Sequence, residues 1–179
     1  TMLLRLSTMA TGRTGVRPEV AQTYAAMLNA DITPIVGEYG SLGCSGDLAP
    51  LAHCALAAMG EGSVRVDGAA LPAADALAAA GIEPLVLREK EGLALINGTD
   101  GMLGMLAIAI GDLDDLLDTA DLAAAMSVEG LAGTDAVFAS DLQALRPHPG
   151  QATSAAHMRT VLQDSGAIAA HRATGFTRV

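Results

Sequence analysis

Apolar residues recur at helical spacing along most of the chain. The pattern predicts two short opening helices, residues 1–10 and 18–29, the second begun by Pro18, whose missing N–H would be unpaired there anyway. A glycine-rich passage follows, with Gly37, Gly40, Gly43 and Gly46 at every third position. From Asp47 the spacing is helical again, through Leu48, Leu51, Ala52, Ala55, Leu56 and Met59, until Gly60-Glu61-Gly62 stops it. Val64 and Val66 alternate ahead of Asp67-Gly68, which predicts a small β-hairpin over residues 63–71. An Ala-rich helix is expected at 72–80, helical spacing at 90–96, and a long helix over 99–127. Its first half (Met102, Leu103, Met105, Leu106, Ile108, Ile110) is apolar almost all round, which predicts deep burial. Its second half is amphipathic, with Asp112, Asp114, Asp115 and Asp118 between Leu113, Leu116 and Leu117. A turn at 146–150 and a helix at 151–163 complete an almost all-α fold: a packed helical bundle with one small inserted hairpin.

Composition narrows the function classes. At 179 residues, 51% hydrophobic and 17% charged, the chain has enough apolar surface to exclude disorder. A net charge of −10 and four aromatic residues (Tyr24, Tyr39, Phe138, Phe176) argue against a nucleic-acid partner. Cys44 and Cys54 are too few for a disulfide framework and lack zinc-ligand spacing, so no metal and a reducing, cytoplasmic compartment are expected. Residues 101–111, the longest uncharged central stretch, are too short to cross a bilayer, and no membrane partner is expected. Residues 1–6 already read as helix interior, and 175–179 as the beginning of a further segment, which suggests a piece of a longer protein.

Familiar glycine motifs fail in the passage Gly40-Ser41-Leu42-Gly43-Cys44-Ser45-Gly46-Asp47. A phosphate loop needs a lysine, and a hydrolase elbow needs glycine where Asp47 stands. A Cys44 nucleophile would want a histidine, and His53 is nine residues on. A rarer chemistry fits. If the backbone is bent sharply, the Gly46 amide nitrogen can attack the Cys44 carbonyl carbon and close a five-membered ring. Gly46 suits the attack because it has no Cβ, and the Ser45 hydroxyl can leave to create a conjugated methylene. Asp47 also sits where a helix N-cap is expected.

The stretch 40–53, Gly-Ser-Leu-Gly-Cys-Ser-Gly-Asp-Leu-Ala-Pro-Leu-Ala-His, closely resembles the signature of the histidine/phenylalanine ammonia-lyase family. Lys90-Glu91-Gly92-Leu93-Ala94-Leu95-Ile96-Asn97-Gly98-Thr99 and Arg146-Pro147-His148-Pro149-Gly150-Gln151 are similar to two further motifs of that family, in the same order. The resemblance implies that Cys44, Ser45 and Gly46 form a 4-methylidene-imidazol-5-one (MIO) group, with Cys44 in place of the usual alanine. It implies that Asp47 assists the cyclisation and that Asn97 contacts the prosthetic group, although Asn97 also reads as a helix cap. No metal and no dissociable cofactor are implied.

The same resemblance implies a parent enzyme that converts L-histidine to trans-urocanate and ammonia, with a phenylalanine or tyrosine ammonia-lyase or aminomutase as the alternative. It implies a homotetramer, and residues 1–179 as a middle portion holding the electrophile. The family's catalytic tyrosine, its Thr-Thr-Gly-Phe-Gly loop and its Gln-Asp-x-Tyr-Ser carboxylate clamp have no counterpart in this sequence. The chain alone is therefore expected to be inactive, with its triplet uncyclised. A second reading, of another class, is a non-catalytic helical module that associates through the 99–127 helix. His53 reads as structural, and His148 and His157 carry no assigned role.

Overall fold

The computed structural model describes residues 1–44 and 46–174. The chain gathers into two compact units, Thr1–Ala109 and Ile110–Val179. The first is built on α1 (Met2–Ala10), α2 (Pro18–Asn29), α3 (Leu48–Ala58), α4 (Ala73–Ala79) and α5 (Glu91–Ile96), all within a few residues of where the hydrophobic spacing puts them. On α2, Val20, Tyr24 and Met27 are spaced four and three apart, so they share one face and are fully buried. They meet Cys54, Ala57 and Ala58 of α3, Leu77 of α4 and Leu95 of α5 in a single core. On α1 the buried stripe is Met2, Arg5 and Met9, so a charged residue occupies an apolar position.

The predicted hairpin is present as β2 (Ser63–Val66) and β3 (Ala69–Pro72), with Val64 opposite Leu71. Its two turn residues, Asp67 at φ +48° and Gly68 at φ +82°, both take the positive φ that a tight two-residue turn of the right hand requires. A two-residue strand, β1 (Thr33–Pro34), pairs with β2 and completes a three-stranded antiparallel sheet. Two residues are too few for alternation to register, so the pattern gave no sign of it. The overall class is the expected one, mostly helical with a small sheet.

Helix α6 (Asp100–Gly130) has 31 residues and is about 45 Å long. Here the burial expectation is corrected. Leu103, Met105, Leu106, Ile108 and Ile110 are exposed, Ile108 by 70%, and so are Leu113, Leu116 and Leu117. The all-round apolar pattern reported a need for cover that this chain does not itself supply. By length and composition alone the stretch Glu91–Gly130, which ends in this helix, would pass for a membrane span, contrary to the reading of residues 101–111 by themselves. Asp112, Asp114, Asp115, Asp118 and Asp121 would be costly in hydrocarbon, and no span is assigned.

The second unit holds the rest of α6, a 3-10 turn (Asp135–Phe138), α7 (Ser140–Ala144), α8 (Pro149–Val161) and α9 (Gly166–Ala173). Ala125, Met158, Leu162 and Ile168 form its small core. Helix α8 starts two residues earlier than the spacing suggests, because Pro149 serves in the first turn. The sequence reading missed α9, although Ser165 announces it by accepting the Ile168 N–H at 3.2 Å.

One polar tie clamps α2 to α5 in the first unit. Arg17 Nε and Nη2 each donate to a Glu91 carboxylate oxygen at 2.8 Å, and the backbone N–H groups of Arg17 and Arg88 donate to the same carboxylate at 3.1 and 2.7 Å. The Arg17 hydrogen bonds hold the Glu91 carboxyl at about 2, below its ordinary 4.5. A carboxyl depressed on folding contributes stability above its unfolded value and loses it as the pH falls towards the folded one. Glu91→Gln should therefore cost roughly 1–3 kcal/mol at neutral pH. That deficit should shrink as the pH drops from 4.5 towards 2, as read by urea unfolding at a series of pH values.

Candidate active site

Asp47 is fully buried at the head of α3. Its position is that of an N-cap, but its side chain makes no bond to its own helix. Oδ2 instead accepts the Met102 N–H at 2.5 Å, and Oδ1 accepts the Ser41 hydroxyl at 2.5 Å. Met102 is the third residue of α6, so Asp47 caps a helix 55 residues away. The expected capping is present, but it serves the wrong helix for a local reading. Asp47 also donates its backbone N–H to the Gly98 carbonyl at 2.8 Å. At φ −67° and ψ +66°, with the Leu48 N–H on the Gly46 carbonyl at 2.7 Å, it is the centre of an inverse γ-turn.

Gly46 is buried at φ +91°, a conformation that L side chains rarely adopt. A Cβ added there would stand 3.3 Å from Asn97 Oδ1. Asn97 is the C-cap of α5, donates its N–H to the Leu93 carbonyl at 3.0 Å, and is exposed in this chain. Capping and facing Gly46 are thus compatible. Cys44 is exposed. Ser45 lies outside the described residues, and with it the expectation that the triplet is uncyclised. The structure brings Gly46, Asp47 and Asn97 together from segments half a hundred residues apart.

Sequence reasoning missed Arg5. Its Nη1 donates to the carbonyls of Ala94 and Asn97 at 2.9 and 3.2 Å, and its Nη2 pairs with the buried Asp100 carboxylate. Helix α1 thereby holds the end of α5 and the start of α6, and hence the turn that presents Asn97. The available signal was a lone arginine on the apolar stripe between Met2 and Met9. Gly98 lies under this guanidinium, where any Cβ would collide with it and would sit 2.5 Å from Asp100 Oδ2.

Of the other candidates, His53 and His157 make contacts within the fold. His53 Nδ1 accepts the Gly37 N–H at 3.1 Å, tying the loop to α3. His157 Nδ1 lies 3.1 Å from Asp121 Oδ2, and His148 precedes α8 without a side-chain cap bond. Burial pushes the Cys54 thiol up to about 11 and raises the Tyr24 phenol, so neither is a poised nucleophile or base.

The residues present fit an MIO group. Gly46 holds the positive φ that a side chain would resist, its empty flank faces the Asn97 amide, and the neighbouring carboxylate is rigidly placed. Two helices begin at this point, and their N-terminal partial charges favour negative charge nearby.

Known proteins resemble this chain over most of its length. The family described as aromatic amino acid lyase matches residues 1–176. A histidine ammonia-lyase of Streptomyces coelicolor is 64% identical over 172 residues, 96% of this chain and 34% of that protein. Among solved structures, a tyrosine aminomutase of Streptomyces globisporus is 43% identical with a TM-score of 0.80, over 92% of this chain and 31% of the other. A histidine ammonia-lyase of Trypanosoma cruzi is 36% identical with a TM-score of 0.78, over 96% and 34%. The chain spans about a third of the length of the curated relatives it matches.

Because a Cβ at position 98 has no space, Gly98→Ala should destabilise the protein by about 2–4 kcal/mol through forced movement of the buried Arg5–Asp100 pair. Chemical denaturation of the variant beside the parent chain checks this.

Proposed function

Since the chain belongs to the aromatic amino acid lyase family, we propose that the full-length protein is a histidine ammonia-lyase, converting L-histidine to trans-urocanate and ammonia. The observation that carries the choice of substrate is the identity to the Streptomyces coelicolor histidine enzyme, well above that to the aminomutase. A phenylalanine or tyrosine ammonia-lyase or aminomutase is the second reading, favoured by the likeness in fold to the tyrosine aminomutase.

Cys44, Ser45 and Gly46 would form the MIO group, which supplies an electrophilic methylene for the substrate amine. The other residues position and polarise. Asn97 presents its amide at Gly46 from the end of α5, where it can hold the ring or the amine. Asp47 fixes the Gly46 turn and draws the α6 N-terminus against it. A fixed dipole at the reacting centre needs no reorganisation as charge develops, which is the usual source of the largest catalytic term. Since the electrophile is built from the chain, the reading calls for no metal ion and no dissociable cofactor.

A homotetramer in the cytoplasm completes the proposal. The exposed apolar residues of α6 support assembly, because so long a stripe is seldom left in water. The two free cysteines, one exposed and one buried, suit a reducing compartment. The chain alone would be inactive for want of a base and a carboxylate clamp.

Assaying the full-length protein on L-histidine, L-phenylalanine and L-tyrosine, by absorbance of the unsaturated acids, tests the substrate. Histidine should be turned over fastest; faster release of cinnamate would favour the second reading. Ser45→Ala should lower turnover on the order of a thousandfold or more, because the electrophile itself is deleted. Light scattering after size exclusion should report four copies.

A further inference from the structure

Ser41 has no part in the roles above, yet its hydroxyl joins the two arms of the loop that carries the triplet. Its Oγ donates to Asp47 Oδ1 at 2.5 Å and accepts the Gly43 N–H at 3.2 Å. Gly43 immediately precedes Cys44, and Asp47 immediately follows Gly46. The serine therefore clips the entry of the loop to the carboxylate at its exit. That carboxylate is itself anchored, by the Met102 N–H on Oδ2 and by the bond from its backbone to Gly98.

Packing does not hold the entry arm. Leu42 is 78% exposed, Cys44 is exposed, and a Cβ on Gly43 would meet nothing within 4 Å. Among the described residues, the arm next to Cys44 is tied down by hydrogen bonds to one side chain, Ser41. A hydroxyl can donate and accept at once, which is what this place demands.

We propose that Ser41 is a positioning residue for ring closure, holding the 41–43 arm against Asp47 so that the Cys44 carbonyl stays within reach of the Gly46 nitrogen. The inference rests on the ammonia-lyase reading and deepens it. In the closure, the Gly46 nitrogen bonds to the Cys44 carbonyl carbon. The carbonyl oxygen leaves as water with the protons of the Gly46 and Ser45 amides. The Ser45 hydroxyl leaves with the Ser45 α-proton as a second water. No oxidant or other reactant is consumed. Fixing the two arms beforehand removes part of the entropy cost of bringing the reacting atoms together.

The test uses the full-length protein and its Ser41→Ala and Ser41→Thr variants. Intact mass is followed after a pulse of synthesis, since the closed form weighs two waters less than the precursor, and thermal unfolding of each is recorded. Ser41→Ala should close about tenfold to a hundredfold more slowly, the rate equivalent of one hydrogen bond to a charged group. Ser41→Thr, which keeps the hydroxyl, should close at nearly the parent rate and melt like the parent, whereas Ser41→Ala leaves the buried Asp47 Oδ1 without its donor and should melt somewhat lower. Closure of Ser41→Ala at the parent rate, or of Ser41→Thr as slowly as Ser41→Ala, overturns the proposal. So does a Ser41→Ala rate that returns to the parent's when both proteins are followed well below either melting temperature, which would make the serine merely structural. A parent protein that never loses the two waters overturns the ammonia-lyase reading as well, and is distinct from the other outcomes.

Discussion

A buried carboxylate, that of Asp47, sets the arrangement on which the candidate site depends. A carboxylate withdrawn from water must find hydrogen-bond donors, and here they come from Ser41 in the loop and Met102 in α6. With its backbone N–H bonded to Gly98, the same residue ties together two stretches, residues 41–47 and 98–102, that are distant in sequence. The Gly46 turn and the Asn97 side chain are brought face to face as a consequence. Moving either of these stretches would leave a buried polar group unpaired.

Charge inside the apolar core repeats the same logic on a second side. Arg5 reaches from α1 into the junction of α5 and α6, where it meets two carbonyls and Asp100. Such a pair adds little to stability over a well-packed apolar substitute, because desolvation offsets most of its attraction. Its effect is on register: with Nη1 on the Ala94 and Asn97 carbonyls and Nη2 on Asp100, the guanidinium fixes the turn that presents Asn97 towards Gly46. Gly98 is required by that proximity, since a side chain would displace the guanidinium. Arg17 and Glu91 clamp the other end of α5. The short helix that carries Asn97 is thus held at both ends by polar ties from α1 and from the start of α2.

The long helix shows a different constraint. Its first residues are pinned by Asp47 and Asp100, while its apolar residues from Leu103 onwards meet solvent in this chain. Hydrophobic burial is non-directional and can be completed by any apolar surface. The helix thus has a capped, buried start and an apolar length beyond it that the described residues leave uncovered, in a chain that spans about a third of the length of its curated relatives.

By itself, the sequence determined most of the helices, the hairpin and the family resemblance. Helical spacing located α1 to α6 and α8, Asp67-Gly68 located the hairpin, and the run from Gly40 to His53 carried the signature of the triplet. These are local properties: periodicity, turn conformation and the identity of adjacent reactants are all written within a few residues. What depends on distant partners was not legible. Nothing local to Asp47 says that its carboxylate will cap α6 instead of α3, and nothing local to Arg5 says that it will hold the turn at Asn97. The burial of α6 was misjudged for the same reason, because an apolar pattern states that a surface wants cover without naming what provides it. Tertiary structure decided those points, since a buried polar group is satisfied by whichever donor the fold carries to it.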